Sequence, residues 1–140
     1  MMRMAQGLIS VTTHGQGLYE VTAELSQWLA KQGVQFGLLT LFVRHTSASL
    51  LVQENAAPDV RTDLNDFFRR LVPEDLSLYR HDEEGADDMP GHIRSALLPT
   101  SLSLPCVDGT LLLGTWQGVF LFEHRHQPHD REIALHLAGE

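Results

Sequence analysis

Cysteine and lysine are almost missing from this sequence: Cys106 and Lys31 each stand alone among 140 residues. A lone cysteine excludes an intrachain disulfide and a cysteine-based zinc cluster. Its neighbourhood, SLSLPCV, is apolar, which points to a core thiol rather than a reactive one. The other nine basic residues are arginines, and against 18 acidic residues they leave a formal net charge of −8. That balance speaks against nucleic acid or an anionic membrane as partner, because both recruit a positive footprint. No apolar run reaches membrane-spanning length, and Met1 to Ile9 lacks the apolar centre of a signal peptide, so a cytoplasmic protein is expected. Also missing are a phosphate loop, a dinucleotide fingerprint and a G-x-S-x-G elbow, which removes conventional nucleotide folds and covalent serine catalysis. No internal repeat, linker or low-complexity segment breaks the chain, so its length predicts one domain with a sizeable core.

What is present is organised around Arg44 to Leu71, RHTSASLLVQENAAPDVRTDLNDFFRRL. Before it, Phe36 to Val43 reads FGLLTLFV, the pattern of a strand covered on both faces. Ser49 to Gln53 resumes a strand, closed by Glu54 and Asn55. Pro58 suits a first helical turn and Asp59 the positive end of its dipole. Val60, Leu64, Phe67, Phe68 and Leu71 then recur at the spacing of one helix face. Asp59, Asp63 and Asp66 line a neighbouring stripe, which as a pattern is first of all a solvated edge.

Elsewhere, Gly7 to Thr13 reads as a strand, and Thr22 as the N-cap of a helix from Ala23 to Gln32 with Leu25, Trp28 and Leu29 inward and Gly33 at its end. Pro73 to Asp88 is a long polar loop with seven carboxylates and His81. Met89 to Leu98 is a short helix capped by Asp88, with Ile93, Leu97 and Leu98 inward and His92 in its first turn. Ser101–Val107 and Thr110–Leu113 flank Asp108-Gly109, a strong hairpin signal. Gly118 to His124 and Arg131 to Leu137 form a further pair of strands around Pro128. The sum is a single α+β domain with helices on a mainly antiparallel sheet.

Three histidines, His45, His81 and His92, lie near element ends with carboxylates close in sequence. Neutral imidazole with carboxylate suits zinc, manganese or iron, and carboxylate with water suits magnesium. Their separations match no local motif, so only the fold can assemble them. Glu123 to His129, EHRHQPH, sets His124 and His126 on one side if the strand continues, and reads more simply as an exposed histidine-rich loop. Arg131 and Arg94 are the arginines nearest polar clusters and hence the candidates to grip phosphate. Gly114 and Gly118 around Trp116 and Gln117 allow a close backbone approach or a plain bend.

Four ordered stretches, HTSAS at 45–49, QENAAPDVRTDL at 53–64, DDMPGHIRSALL at 87–98 and DGTLLLGTWQGVFLFE at 108–123, resemble the YjbQ family, often labelled secondary thiamine-phosphate synthase. The resemblance implies a compact α+β fold with a two-layer β arrangement, usually a homotrimer with clefts between subunits. It implies joining of a pyrimidine pyrophosphate to a thiazole phosphate, and so a small phosphorylated substrate and a divalent ion, magnesium or zinc. On this expectation His45, His81, His92, Asp63, Asp87 and Glu123 surround the ion. His45, His92, Glu54 and Arg131 act on the substrate, Arg131 by holding phosphate, while Thr46, Ser47, Asn55 and Gln117 contribute binding contacts. A metal-dependent hydrolase or lyase of a phosphorylated metabolite, and a non-catalytic metal- or ligand-binding trimer, stand as alternatives. Two departures bear on the site. Asp87-Asp88 replaces the family's usual Asp-Asn, and His129 stands where the first of two arginines is usual, leaving only Arg131.

Overall fold

The computed structural model describes residues 1–140. Its longest strands, β1 (Arg3–Thr13) and β8 (His129–Gly139), pair antiparallel along their whole length, from Arg3 opposite Gly139 to Thr13 opposite His129. The free edge of β8 takes β3 (Phe36–Val43); β5 (Ser101–Val107) and the two-residue β6 (Thr110–Leu111) then complete a sheet ordered β1-β8-β3-β5-β6. A second sheet, β2-β7-β4, comprises Gly17–Glu20, Gln117–Glu123 and Ala48–Glu54. Every pairing in both sheets is antiparallel.

The sheets stack face to face. Leu39, Leu41, Ile133, Leu135 and Leu137 of the first meet Ala48, Leu50, Val119 and Leu121 of the second, and all are buried in one apolar cluster. Helix α1 (Thr22–Ala30) adds Leu25 and Leu29 to it. Because side chains alternate along a strand, the opposite face of β7 presents Phe120 and Phe122. Helix α2 (Pro58–Leu71) covers them: Phe68 meets Phe122 edge-on at 5.7 Å and the Arg61 guanidinium lies 5.8 Å from the Phe120 ring centre. β7 is thereby buried on both faces, and whatever follows it leaves from the best-anchored strand in the molecule.

The expected α+β architecture and two-layer β arrangement stand, with five local differences. The strands around Pro128 do not pair; that loop carries the chain from the second sheet to the first. β3 is covered on one face only: Leu39 and Leu41 are fully buried, while Phe36 and Phe42 remain 54% and 51% exposed. Thr22 is not a cap but the first residue of α1. Its hydroxyl instead donates to Glu20 Oε2 at 2.9 Å and accepts the Val119 N–H at 2.9 Å, fastening the helix to β7. β1 starts earlier than expected, and β2 went unread because four residues carry too little alternation. Asp108-Gly109 makes the expected turn, both residues with positive φ (49° and 72°).

Helix α3 (Asp88–Leu97) holds the fifth difference. Its inward residues are Asp88, Pro90, Gly91 and Arg94, whereas Leu97 is 59% exposed. The helix lies on polar chain rather than on the apolar core. A Cβ placed on Gly91 would sit 3.4 Å from Ser47 Cβ and 3.6 Å from both Arg125 Cδ and His124 Cβ.

Candidate metal centre

Where β7 ends, Glu123 is completely buried and Arg131, entering β8, is 3% exposed. Their side chains form a two-point ion pair, with Arg131 Nε donating to Glu123 Oε1 at 2.8 Å and Nη2 donating to Oε2. Thr13 donates to Glu123 Oε1 at 2.6 Å, and the N–H groups of His124 and Arg125 reach Oε2 at 3.0 and 3.1 Å. Burial acts to raise the Glu123 pKa, but these hydrogen bonds and the guanidinium hold it below the ordinary carboxylate range. Arg131 also donates to Ser47 Oγ at 2.9 Å. His45 stands near this pair; its Nε2 accepts the Glu132 N–H at 2.8 Å, and burial followed by the charge of Arg131 lowers its pKa.

Chain geometry fixed by Glu123 sends Arg125 toward the start of α3. Its guanidinium donates through Nε to Asp87 Oδ2 (3.1 Å), through Nη1 to Asp88 Oδ1 (2.6 Å) and through Nη2 to the Glu84 carbonyl (2.9 Å). The His126 N–H adds a 2.8 Å bond to Asp87 Oδ2. Neither aspartate caps the helix; both are turned to Arg125, which is why the expected cap at Asp88 is absent. Burial acts to raise both pKa values. For Asp87 the His126 N–H and Arg125 prevail, and for Asp88 the contacts with Glu84 and His81 and the charge of Arg125, so both end lowered.

On its other side Asp88 Oδ2 lies 2.8 Å from His81 Nε2 and 3.4 Å from His92 Nε2, and Glu84 Oε2 lies 3.0 Å from His81 Nε2. The two rings meet at 65° with centroids 5.5 Å apart. Four donor atoms, one each from His81, Glu84, Asp88 and His92, thus fall within 4.8 Å of one another. Hydrogen bonds from Asp88 and then Glu84 raise the His81 pKa, so in the absence of an ion a proton occupies that nitrogen up to higher pH. Two imidazole nitrogens with two carboxylate oxygens are a donor set for a borderline divalent cation, and ligand atoms about 3 Å apart match the edges of a zinc coordination shell with bonds of about 2 Å. The residues fit such an ion.

Of the six residues expected around an ion, the fold brings His81 and His92 together. Asp87 is adjacent but engaged by Arg125 and the His126 N–H. His45 and Glu123 sit with Arg131, and Asp63 is exposed on α2. Glu54 accepts the Ala57 N–H, Asn55 donates to Glu20, Gln117 accepts the Gly114 N–H, Ser47 accepts from Arg131 and Thr46 is exposed. His124 and His126 do not pair: His124 is buried against Ser49 Oγ at 2.8 Å, while His126 reaches Glu74 at 2.9 Å. Arg94 is 1% exposed, with one long bond to the Val72 carbonyl. Asp88, Glu84 and Arg125 were not expected. Asp88 and His92 carry a signal, four residues apart on one helix face. Glu84 and Arg125 carry none.

A family profile described as UPF0047 protein YjbQ-like matches residues 7–140. A UPF0047 protein of Synechocystis sp. is 55% identical over 138 residues, which span 99% of this chain and 94% of that one. The UPF0047 protein YjbQ of Escherichia coli O157:H7 is 47% identical over 136 residues, covering 96% and 98%. Among solved structures, a conserved hypothetical protein of Thermus thermophilus aligns with TM-score 0.83 at 34% identity, over 92% of this chain and 97% of that one. A YbjQ-like protein of unknown function from Sulfolobus solfataricus shares the fold over the full length of both chains, with TM-score 0.90 at 24% identity. By its matched profile, its relatives and its fold, this chain belongs to the UPF0047 (YjbQ-like) family.

Proposed function

We propose that this protein is a divalent-metal-dependent hydrolase or lyase of a small phosphorylated metabolite, working at His81, Glu84, Asp88 and His92. The observation that carries the reading is the convergence of two imidazoles and two carboxylates on one partly open spot. A divalent ion there would supply Lewis-acid stabilisation of charge on a phosphoryl oxygen and acidify a water. His81 Nε2, His92 Nε2 and Asp88 Oδ2 are the ion's holding groups. Glu84, whose side chain is 63% exposed, is the member free to turn toward solvent and accept a proton at Oε2. Charge favours an anionic ligand only when the ion is present: Glu84, Asp87 and Asp88 are offset by one guanidinium, and the two positive charges of the ion bring the site to neutrality.

The transfer reaction implied by the family resemblance, joining a pyrimidine pyrophosphate to a thiazole phosphate, would use the same ion. Two considerations rank it second. Imidazole ligands favour zinc, manganese or iron over the magnesium usual in pyrophosphate chemistry. Arg131, expected to hold phosphate, faces Glu123. Purified protein reconstituted with zinc, manganese or cobalt should retain one ion per chain and release phosphate from members of a panel of phosphorylated metabolites. Chelator and His92→Ala should both abolish release. Thiamine-phosphate formation by wild type but not His92→Ala would reverse the ranking, and failure to retain any ion would sink both.

We also propose that another copy of the chain covers the outer face of the five-stranded sheet, in the homotrimer that the resemblance implies. Leu8, Phe36, Leu38 and Phe42 are 44–54% exposed there, beside a cavity of about 480 Å³ floored by Gly7, Thr40 and Ala134. An apolar patch of that kind on a protein of net charge −8 is an interface before it is a surface.

A further inference from the structure

The geometry points to Arg125 as the positioning residue of the centre: it fixes which oxygen of Asp88 faces the ion and holds Glu84 in reach. The inference rests on the metal reading above. Asp88 has two oxygens that any cation would take together if free to do so. Arg125 Nη1 occupies Oδ1 at 2.6 Å, leaving Oδ2 alone to face His81 and His92. The same guanidinium grips the Glu84 carbonyl at 2.9 Å, anchoring the loop residue beside the helix residue. One planar group therefore sets two of the four donors, one from each chain segment that builds the site, while leaving both imidazoles untouched.

Arg125 is itself held. Its side chain is 18% exposed, its Nε is spent on Asp87 at 3.1 Å, and its backbone N–H is fixed by the fully buried Glu123. The ladder Arg131–Glu123–Arg125–Asp88 thus runs from the buried end of β8 to the surface, and gives Glu123 and Arg131 a role in aiming the centre rather than in ligating an ion or phosphate. Lysine would not replace Arg125. A single ammonium is a point charge, whereas three acceptors at fixed angles call for the guanidinium fork.

The test is cobalt binding to wild type, Arg125→Lys and Arg125→Gln, followed by calorimetry and by the visible spectrum of the bound ion. Wild type should bind one cobalt. Both variants should bind about 10–100-fold more weakly, the loss typical of a removed partner of a metal ligand. Their visible band should weaken, because a freed Asp88 offers both oxygens and raises the coordination number. Added guanidinium salt should restore the wild-type spectrum in Arg125→Gln, an effect that general destabilisation would not produce. Absence of cobalt binding in wild type would overturn the metal reading itself. Binding in wild type with affinity and spectrum unchanged in both variants would leave that reading intact and overturn the role of Arg125. Circular dichroism and melting curves identify any variant that fails to fold, and Arg125→Lys, which keeps the charge, carries the test if Arg125→Gln does.

Discussion

At the scale of single residues, His124 is the group most at odds with water. Its ring is wholly buried, tilted against Phe122 at 4.8 Å, with Nε2 on Ser49 Oγ and Nδ1 without a partner. Burial, and then the charge of Arg94, push its pKa down to about 3. The unfolded chain protonates this imidazole near its ordinary value of 6.5, while the folded chain refuses the proton until about 3. Between those limits the unfolded state binds more protons, so stability falls as pH falls, by about 1.4 kcal/mol per unit attributable to this residue. His124→Gln keeps a hydrogen bond to Ser49 without the titration. Urea unfolding at pH 7, 6 and 5 should therefore show a shallower decline for the variant than for wild type; parallel declines would show that His124 does not set the acid limb. Glu123 contributes in a lower window, because its depressed pKa gives stability that is present above the ordinary carboxylate range and lost as pH falls through the folded value. Arg131→Met would strand Glu123 as an uncompensated buried charge, and should cost about 3–5 kcal/mol in the same unfolding experiment.

At the scale of elements, the centre joins two unlike pieces of chain: His81 and Glu84 come from the loop before α3, Asp88 and His92 from its first turns. An ion binding them should tie the loop to the helix. At one hundred times its Kd, zinc should add about 2.7 kcal/mol to stability. It should also slow cleavage after Glu83 and Glu84 by a glutamate-specific protease, and His92→Ala should abolish both effects; equal cleavage with and without zinc would show that no such tie forms. The same two elements mark where the sequence could be read and where it could not. Strands β3, β4, β5 and β7 and helix α2 carry strong local periods, and Asp88 with His92 carries helical spacing. The inward face of α3 was misread because Ile93, Leu97 and Leu98 look like a core stripe, whereas the helix rests on Gly91 and Arg94 against polar chain. Arg125 was invisible because what recruits it, a backbone direction fixed by Glu123 at the end of a strand of the other sheet, depends on contacts between residues far apart in sequence.

At the scale of the whole molecule, β3 reads in sequence as a strand covered on both sides, yet one chain covers only one. Leu39, Leu41 and Val43 are sealed between the sheets, while Phe36, Leu38 and Phe42 look outward. Another copy on that face reconciles the two. Phe42→Asp should shift sedimentation from trimer to monomer without altering the secondary-structure signal, and an unchanged sedimentation coefficient would place the contact on another face. The exposed half of β3 has one more consequence. Apolar surface hidden only by association makes the melting temperature depend on how much protein is present, rising with concentration and falling without it. For such a chain, dilution alone acts as a denaturant.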